Sequence, residues 1–172
     1  MSSAPDLDRV CAARAGDRAA FAELYRAYVR MVHGVLLARV PRTDVDDLVQ
    51  EVFLTAMRRL DSLREPAAFP GWLATIARNH ATDHFRRRGS ETVELPDDLP
   101  AAPDQSQHAR AILDVVRSLP AAYREPLILR LVEGMTGPEI AARTGLTEGS
   151  VRVNLHRGMK LLRARLDGRA TP

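Results

Sequence analysis

Apolar residues in this chain return at every third or fourth position, and no β-branched run alternates, so the pattern supports helices and no sheet. Phe21, Leu24, Tyr25, Tyr28, Val32, Val35 and Leu36 make one stripe, with Asp17 placed to cap its start. Val45, Leu48, Val49, Val52, Phe53, Ala56 and Leu60 make a second. Asp44, Asp46 and Asp47 crowd the positive end of that helix, and Arg58 and Arg59 lie at its negative end. A third helix is expected over "GWLATIARNHATDHFRRR", residues 71–88, entered past Pro66 and Pro70 and left at Gly89. Its Trp72, Leu73, Ile76 and Ala77 suit a core-facing stripe, while its C-terminal half is mixed polar and basic.

The run "GSETVELPDDLPAAPDQSQ" has three prolines and no periodicity, and reads as a flexible acidic linker. Charge follows the same division. Residues 1–88 carry 14 arginines against 11 acids, residues 89–110 one against five, and residues 111–172 ten cations against six acids. The expectation is an all-α chain of two small helical domains, 1–88 and 109–172, with the linker over 89–108.

Beyond the linker, Ile112, Val115, Val116 and Leu119 form a short stripe stopped by Pro120, and Tyr123, Leu127, Ile128 and Leu131 form another that runs to Gly134. In "MTGPEIAARTGLTEGSVRVNLHRGMKLLRARL", Thr136 and Glu139 have capping-box spacing and Pro138 is tolerated in a first turn. Gly145 can adopt the left-handed conformation that ends a helix, and Thr147 can cap the next. Two short helices about a glycine turn, the second rich in arginine, are a helix-turn-helix candidate. Ile140, Ala141, Leu146, Val151 and Leu155 supply its apolar face. Arg152, Asn154, His156, Arg157, Lys160, Arg163 and Arg165 are left for solvent or DNA, where arginine forks onto guanine and asparagine onto adenine.

Several classes are excluded or weakened. No window approaches the length of an uncharged membrane span, and "MSSAPDLDRVCAARAGD" lacks the shape of a secretory signal, so cytoplasmic residence without membrane insertion is expected. The single cysteine, Cys11, rules out an internal disulfide and a cysteine metal cluster. His80 and His84 stand four apart, but Ala81 occupies the place where a zinc protease needs glutamate, and no further ligand is evident. Neither a cofactor, a metal nor a catalytic group is expected. Asp47, Gln50 and Glu51 share the polar side of the second helix; charge alone favours a solvated helix start there.

"DDLVQEVFLTAMRRL" followed by "FPGWLATIARNHATDHFRRR" resembles region two of bacterial RNA polymerase sigma factors, and "GPEIAARTGLTEGSVRVNLHRGMKLLRARL" resembles their region four. With only these two regions and a short linker, the chain resembles the extracytoplasmic-function (ECF) group over roughly residues 15–165. The resemblance implies that Asp47, Gln50 and Glu51 dock on the clamp of the largest subunit of core RNA polymerase, and that region four meets the flap of the second largest. It implies that Asn79, Asp83, Arg86 and Arg87 contact the melted minus-ten element, with the loop Asp61–Pro70 receiving an extruded base. Arg152, Asn154, His156, Arg157 and Lys160 are the implied readers of the minus-thirty-five duplex. It also implies an anti-sigma partner, and a linker that threads the polymerase's nucleic-acid channel. The chain departs from the family at Gly158, commonly alanine there, and Gly149 lies in the same helix; both are expected to weaken it. "FPGW" is an unusual opening for the minus-ten helix.

Overall fold

The computed structural model describes residues 4–90 and 105–169; the acidic stretch 91–104 lies outside them. The first region holds α1 (Ala4–Arg14), α2 (Arg18–Leu37), α3 (Arg42–Arg59) and α4 (Phe69–Ser90), with 3-10 turns at Leu60–Ser62 and Pro66–Ala68 between the last two. The second holds α5 (Gln105–Ser118), α6 (Ala121–Leu131), α7 (Gly137–Thr144) and α8 (Glu148–Arg169). No strand occurs among the described residues.

Local signals account for most boundaries. Asp17 accepts from the backbone N–H of Ala19 and Ala20 at 2.8 and 3.1 Å, which opens α2. Thr136 and Glu139 close a reciprocal capping box on α7. The Glu139 carboxyl is held below its ordinary range by the backbone and hydroxyl of Thr136. Gly145 ends α7 with φ +76°, and Thr147 accepts from Ser150 N–H at 3.1 Å to start α8. The helix expected over 71–88 starts two residues earlier, at Phe69, because Pro70 fits a first helical turn. It also runs one residue past Gly89, and α5 begins inside the span expected for the linker.

Helix α1 has no strong apolar stripe, and sequence periodicity does not single it out. Its Val10 is nevertheless buried, Arg9 pairs with Glu23 of α2 at 2.6 Å, and Tyr28 donates its hydroxyl to Asp6 at 3.1 Å. Burial and the nearby Asp6 charge together raise the Tyr28 phenol well above its ordinary pKa.

The two regions pack against one another, α6 on α2 and α7 on α4, and one apolar core runs through both. Leu129 of α6 is fully buried against Gly34 of α2, where a Cβ would stand 2.6 Å from the leucine Cδ2. Arg117 of α5 donates to the carbonyls of Leu37 (3.0 Å) and Val40 (2.7 Å), covering groups that the end of α2 leaves unpaired. Arg143 of α7 donates to the Ala27 carbonyl and lies 5.2 Å over the Tyr28 ring.

Gly158 has a packing role beyond the expected loss of helix propensity. It is buried where α8 crosses α6, and a Cβ there would meet Leu127 Cδ1 at 3.0 Å and Tyr123 Cβ at 3.1 Å. The glycine is a close-approach point. Around Gly149 a Cβ would meet nothing within 4 Å. The two glycines of α8 should therefore respond with opposite signs. In urea titrations Gly158→Val is expected to cost about 2 kcal/mol by overpacking, and Gly149→Ala to add up to about 1 kcal/mol.

Candidate polymerase and nucleic-acid interface

On α3 the buried stripe Val45, Leu48, Val49, Val52, Phe53 and Ala56 faces the core, which turns Asp47, Gln50 and Glu51 outward together. All three are exposed, and the same face continues into Leu54 and Met57, each 51% exposed. Sequence reading did not single out that pair. Two large exposed apolar residues extending an acidic ridge suit a protein partner better than bare solvent.

The neighbouring helix α4 divides by side. Leu73, Ala74, Ile76, Ala77 and Ala81 are buried. Trp72, expected in the core, lies at its edge, half-buried with its ring centre 5.9 Å from that of Phe69. Asn79 and Arg86 lie on one exposed face with Asp83, which accepts from Arg86 at 2.9 Å, and Arg87 is exposed beside them. The four expected minus-ten residues are thus brought together.

The histidines of α4 turn the other way. His84 Nε2 bonds Asp44 of α3 at 2.9 Å; His80 bonds Thr55 at 3.1 Å and lies 3.5 Å from a Glu51 oxygen. They stitch α4 to α3. No group of three or more histidine, cysteine or carboxylate side chains suited to a metal occurs among the described residues. The loop between α3 and α4 is held by buried Leu60, Leu63 and Phe69, the last packed edge-on to Tyr28 at 5.3 Å.

In the helix-turn-helix, Ile140, Ala141 and Val151 are buried as expected, while Leu146 and Leu155 are half-buried against the same core. Along α8, Arg152, His156, Lys160 and Arg163 recur on one exposed side and Arg157 is exposed next to them. Asn154 lies on the opposite edge and is half-buried. Four of the five expected duplex-reading residues therefore share a surface, and Asn154 is set apart. His156, Lys160 and Arg163 also border a groove of about 650 Å³ with Arg130, floored by Leu155 and Met159.

Sequence reading missed the buried charges between the regions. Glu125 of α6 has a side chain only 5% exposed and is held between Arg39 (2.7 Å) and Arg78 of α4, whose Nη2 and Nε lie 2.7 and 3.2 Å from its two oxygens. Arg78 also donates to the Thr144 carbonyl at 3.1 Å. Glu133, likewise buried, bonds His33 Nδ1 at 2.6 Å and pairs with Arg30. Neither carboxylate belongs to a motif. The one available signal was that Glu125 precedes the apolar run Pro126–Leu129 of α6.

The sigma-70 region 2 family matches residues 24–91, and sigma-70 region 4 matches residues 109–162. The chain belongs to the ECF group of RNA polymerase sigma factors. Among its relatives, RNA polymerase sigma factor CarQ of Myxococcus xanthus is 35% identical over 161 residues, covering 87% of this chain and 91% of CarQ. Sigma factor CnrH of Cupriavidus metallidurans is 34% identical over 188 residues, covering 94% and 95% of the two chains. The structure of CnrH in complex with the cytosolic domain of CnrY superposes with a TM-score of 0.68 at 28% identity, covering 95% of this chain and 98% of that one. As a sigma factor the chain is a transcription initiation factor that works with core RNA polymerase and promoter DNA. No helix among the described residues is long and apolar enough to cross a membrane.

Hydrogen bonding to Glu133 raises the His33 pKa above 6.5 against the opposing effect of burial; the Glu133 and Asp46 charges add to the rise and Arg42 opposes it. A raised folded-state pKa means that the histidine's contribution is complete below about pH 6.5 and is lost as pH climbs through the higher folded value. The seam is therefore expected to loosen as pH rises above about 6.5, seen as a rising radius of gyration in small-angle scattering. His33→Ala should remove that dependence.

Proposed function

We propose that this ECF sigma factor directs initiation by docking region two on the clamp of core RNA polymerase and capturing the melted minus-ten strand with α4. Region four, in turn, reads the minus-thirty-five duplex with α8. The supporting observation is the pair of exposed faces on adjacent helices: Asp47, Gln50 and Glu51 on α3, and Asn79, Asp83, Arg86 and Arg87 on α4. An acidic face beside a basic one lets one helical pair meet a basic protein surface and a nucleic-acid strand at once. The exposed row Arg152, His156, Lys160 and Arg163, with Arg157, suits insertion into a major groove, base contacts early and phosphate contacts later. Asn154 joins that contact only at the edge of the helix.

In this reading the domains run 1–88 and 109–172, and residues 89–108 thread the polymerase channel. The polymerase forms the phosphodiester bond, so this chain supplies no catalytic group and works in the cytoplasm without a cofactor. Region four also meets the polymerase flap. CnrH is bound by the cytosolic domain of CnrY, and an anti-sigma partner is proposed for this chain too.

A free-standing repressor would account for α8 but leave the exposed α3 ridge without a purpose. Transcription from a defined promoter with purified core polymerase separates the two readings: a sigma factor supports specific initiation, whereas a repressor binds duplex operator alone. Charge reversal at Asp47 and Glu51 to lysine is expected to abolish co-purification with core polymerase while circular dichroism stays unchanged. Undiminished capture would refute the clamp assignment. Arg152→Ala or Arg157→Ala is expected to cost about 1–3 kcal/mol in minus-thirty-five binding at fixed salt, with relaxed selectivity where the arginine reads a base.

A further inference from the structure

The seam between the regions presents an arrangement that the promoter reading does not use. Two guanidiniums of the first region, Arg39 and Arg78, converge on one carboxylate of the second, Glu125, and Arg78 grips it with two nitrogens. A paired fork of this kind fits a carboxylate and a phosphate equally well. Arg78 precedes Asn79 on the helix that carries Asp83, Arg86 and Arg87.

The docked arrangement cannot span a promoter. Minus-ten and minus-thirty-five elements lie about 25 base pairs apart, roughly 85 Å along B-form DNA. Here the backbone at the start of α4 touches the helix-turn-helix turn, with Gly145 Cα 3.4 Å from where a Gly71 Cβ would stand. Engaging both elements requires the regions to part. Parting strips Arg39 and Arg78 of Glu125, and Arg30 and His33 of Glu133, which leaves these cations of the first region without their carboxylates.

We propose that Arg39 and Arg78 form a phosphate site for a nucleic-acid strand, and that Glu125 fills it as an internal stand-in while the regions are docked. The inference rests on the reading of α4 as the strand-facing helix. Region four and the strand then compete for the same two guanidiniums. Unlocking and strand binding are one linked equilibrium: a strand that binds only the parted state shifts the chain toward it by its differential affinity.

The test is a fluorescence-anisotropy titration of the full chain with a labelled fifteen-nucleotide oligothymidylate, a probe that reads backbone contacts without promoter sequence. Glu125→Gln removes the competing charge while keeping the shape. Gly34→Ala opens the same seam by steric conflict with Leu129 and with the Glu133 Cγ, and leaves Glu125, Arg39 and Arg78 unaltered. Both variants are expected to bind about tenfold more tightly than the parent chain, the gain expected when a minor binding-competent state becomes the major one. Adding Arg78→Gln to Gly34→Ala should cancel that gain. Parent-like affinity in a variant whose scattering shows parted regions would overturn the proposal.

If Glu125→Gln does not fold, Gly34→Ala carries the comparison. Hydrogen exchange on the unmodified chain provides a further check. Saturating oligothymidylate must strip protection from residues 125–133, and retained protection in the bound chain would also overturn the proposal. The strand-facing reading fails separately: an Arg86→Ala, Arg87→Ala chain that binds like the parent removes the α4 tip from the contact, while a surviving Glu125→Gln gain leaves the Arg39–Arg78 site standing.

Discussion

Each region is too small to cover its own apolar surface, and the rest of the structure follows from that constraint. A four-helix unit of this length leaves much of its chain's surface open. Here α2 and α4 bury their remaining apolar flank against α6 and α7, so that Leu36, Leu37, Leu127 and Leu129 belong to one core. Gly34 is the point of closest approach, and its missing side chain admits Leu129. Pressing two polar surfaces together around that contact forces the charges near it out of water. Buried ions persist only when paired, and among the described residues no buried side-chain nitrogen or oxygen lacks a partner.

The pairing does not make the seam rigid. A buried ion pair recovers little beyond its own desolvation, whereas a single ion left behind is strongly unfavourable. The cost of opening therefore depends on what replaces the lost partner. Water at the parted surface, the polymerase or a polyanion can each take that place. Apolar packing at Leu129 supplies non-specific adhesion, and Glu125 and Glu133 supply register. Arg117 has a different role. Its guanidinium is drawn below the ordinary arginine value by burial, and it satisfies carbonyls at the end of α2.

Much of the fold was legible from residues because helix ends are decided locally. Asp17, Thr136, Gly145 and Thr147 do what their side chains and backbone freedom dictate, and the stripes of α2, α3 and α7 face the core as spaced, save for the exposed Tyr25 of α2. Long-range pairing was not legible. Glu125 on α6 and Glu133 just past its end look like ordinary acids until α4 and α2 bring arginines to them. Gly158 reads as a weak helix former until Tyr123 and Leu127 are seen against it. His80 and His84 have metal-like spacing, yet their partners lie on another helix. The exposed α3, α4 and α8 surfaces were legible as faces because helical spacing carries direction. Asn154 fell outside its group because a residue two positions from Arg152 faces nearly the opposite side of the helix.

Helix α1 has no recognisable motif, and the family match begins only at residue 24. In the folded chain it packs on α2 and against both 3-10 turns of the loop ahead of α4. That loop is the segment that the family resemblance implies receives a base drawn out of the duplex. The placement of the loop therefore has its foundation in residues outside the recognisable family region. A version of the protein begun at residue 24 would retain every named contact residue and still lose the helix packed against the loop. A substitution in α1 can then shift the loop from positions that an inventory of DNA contacts would never include.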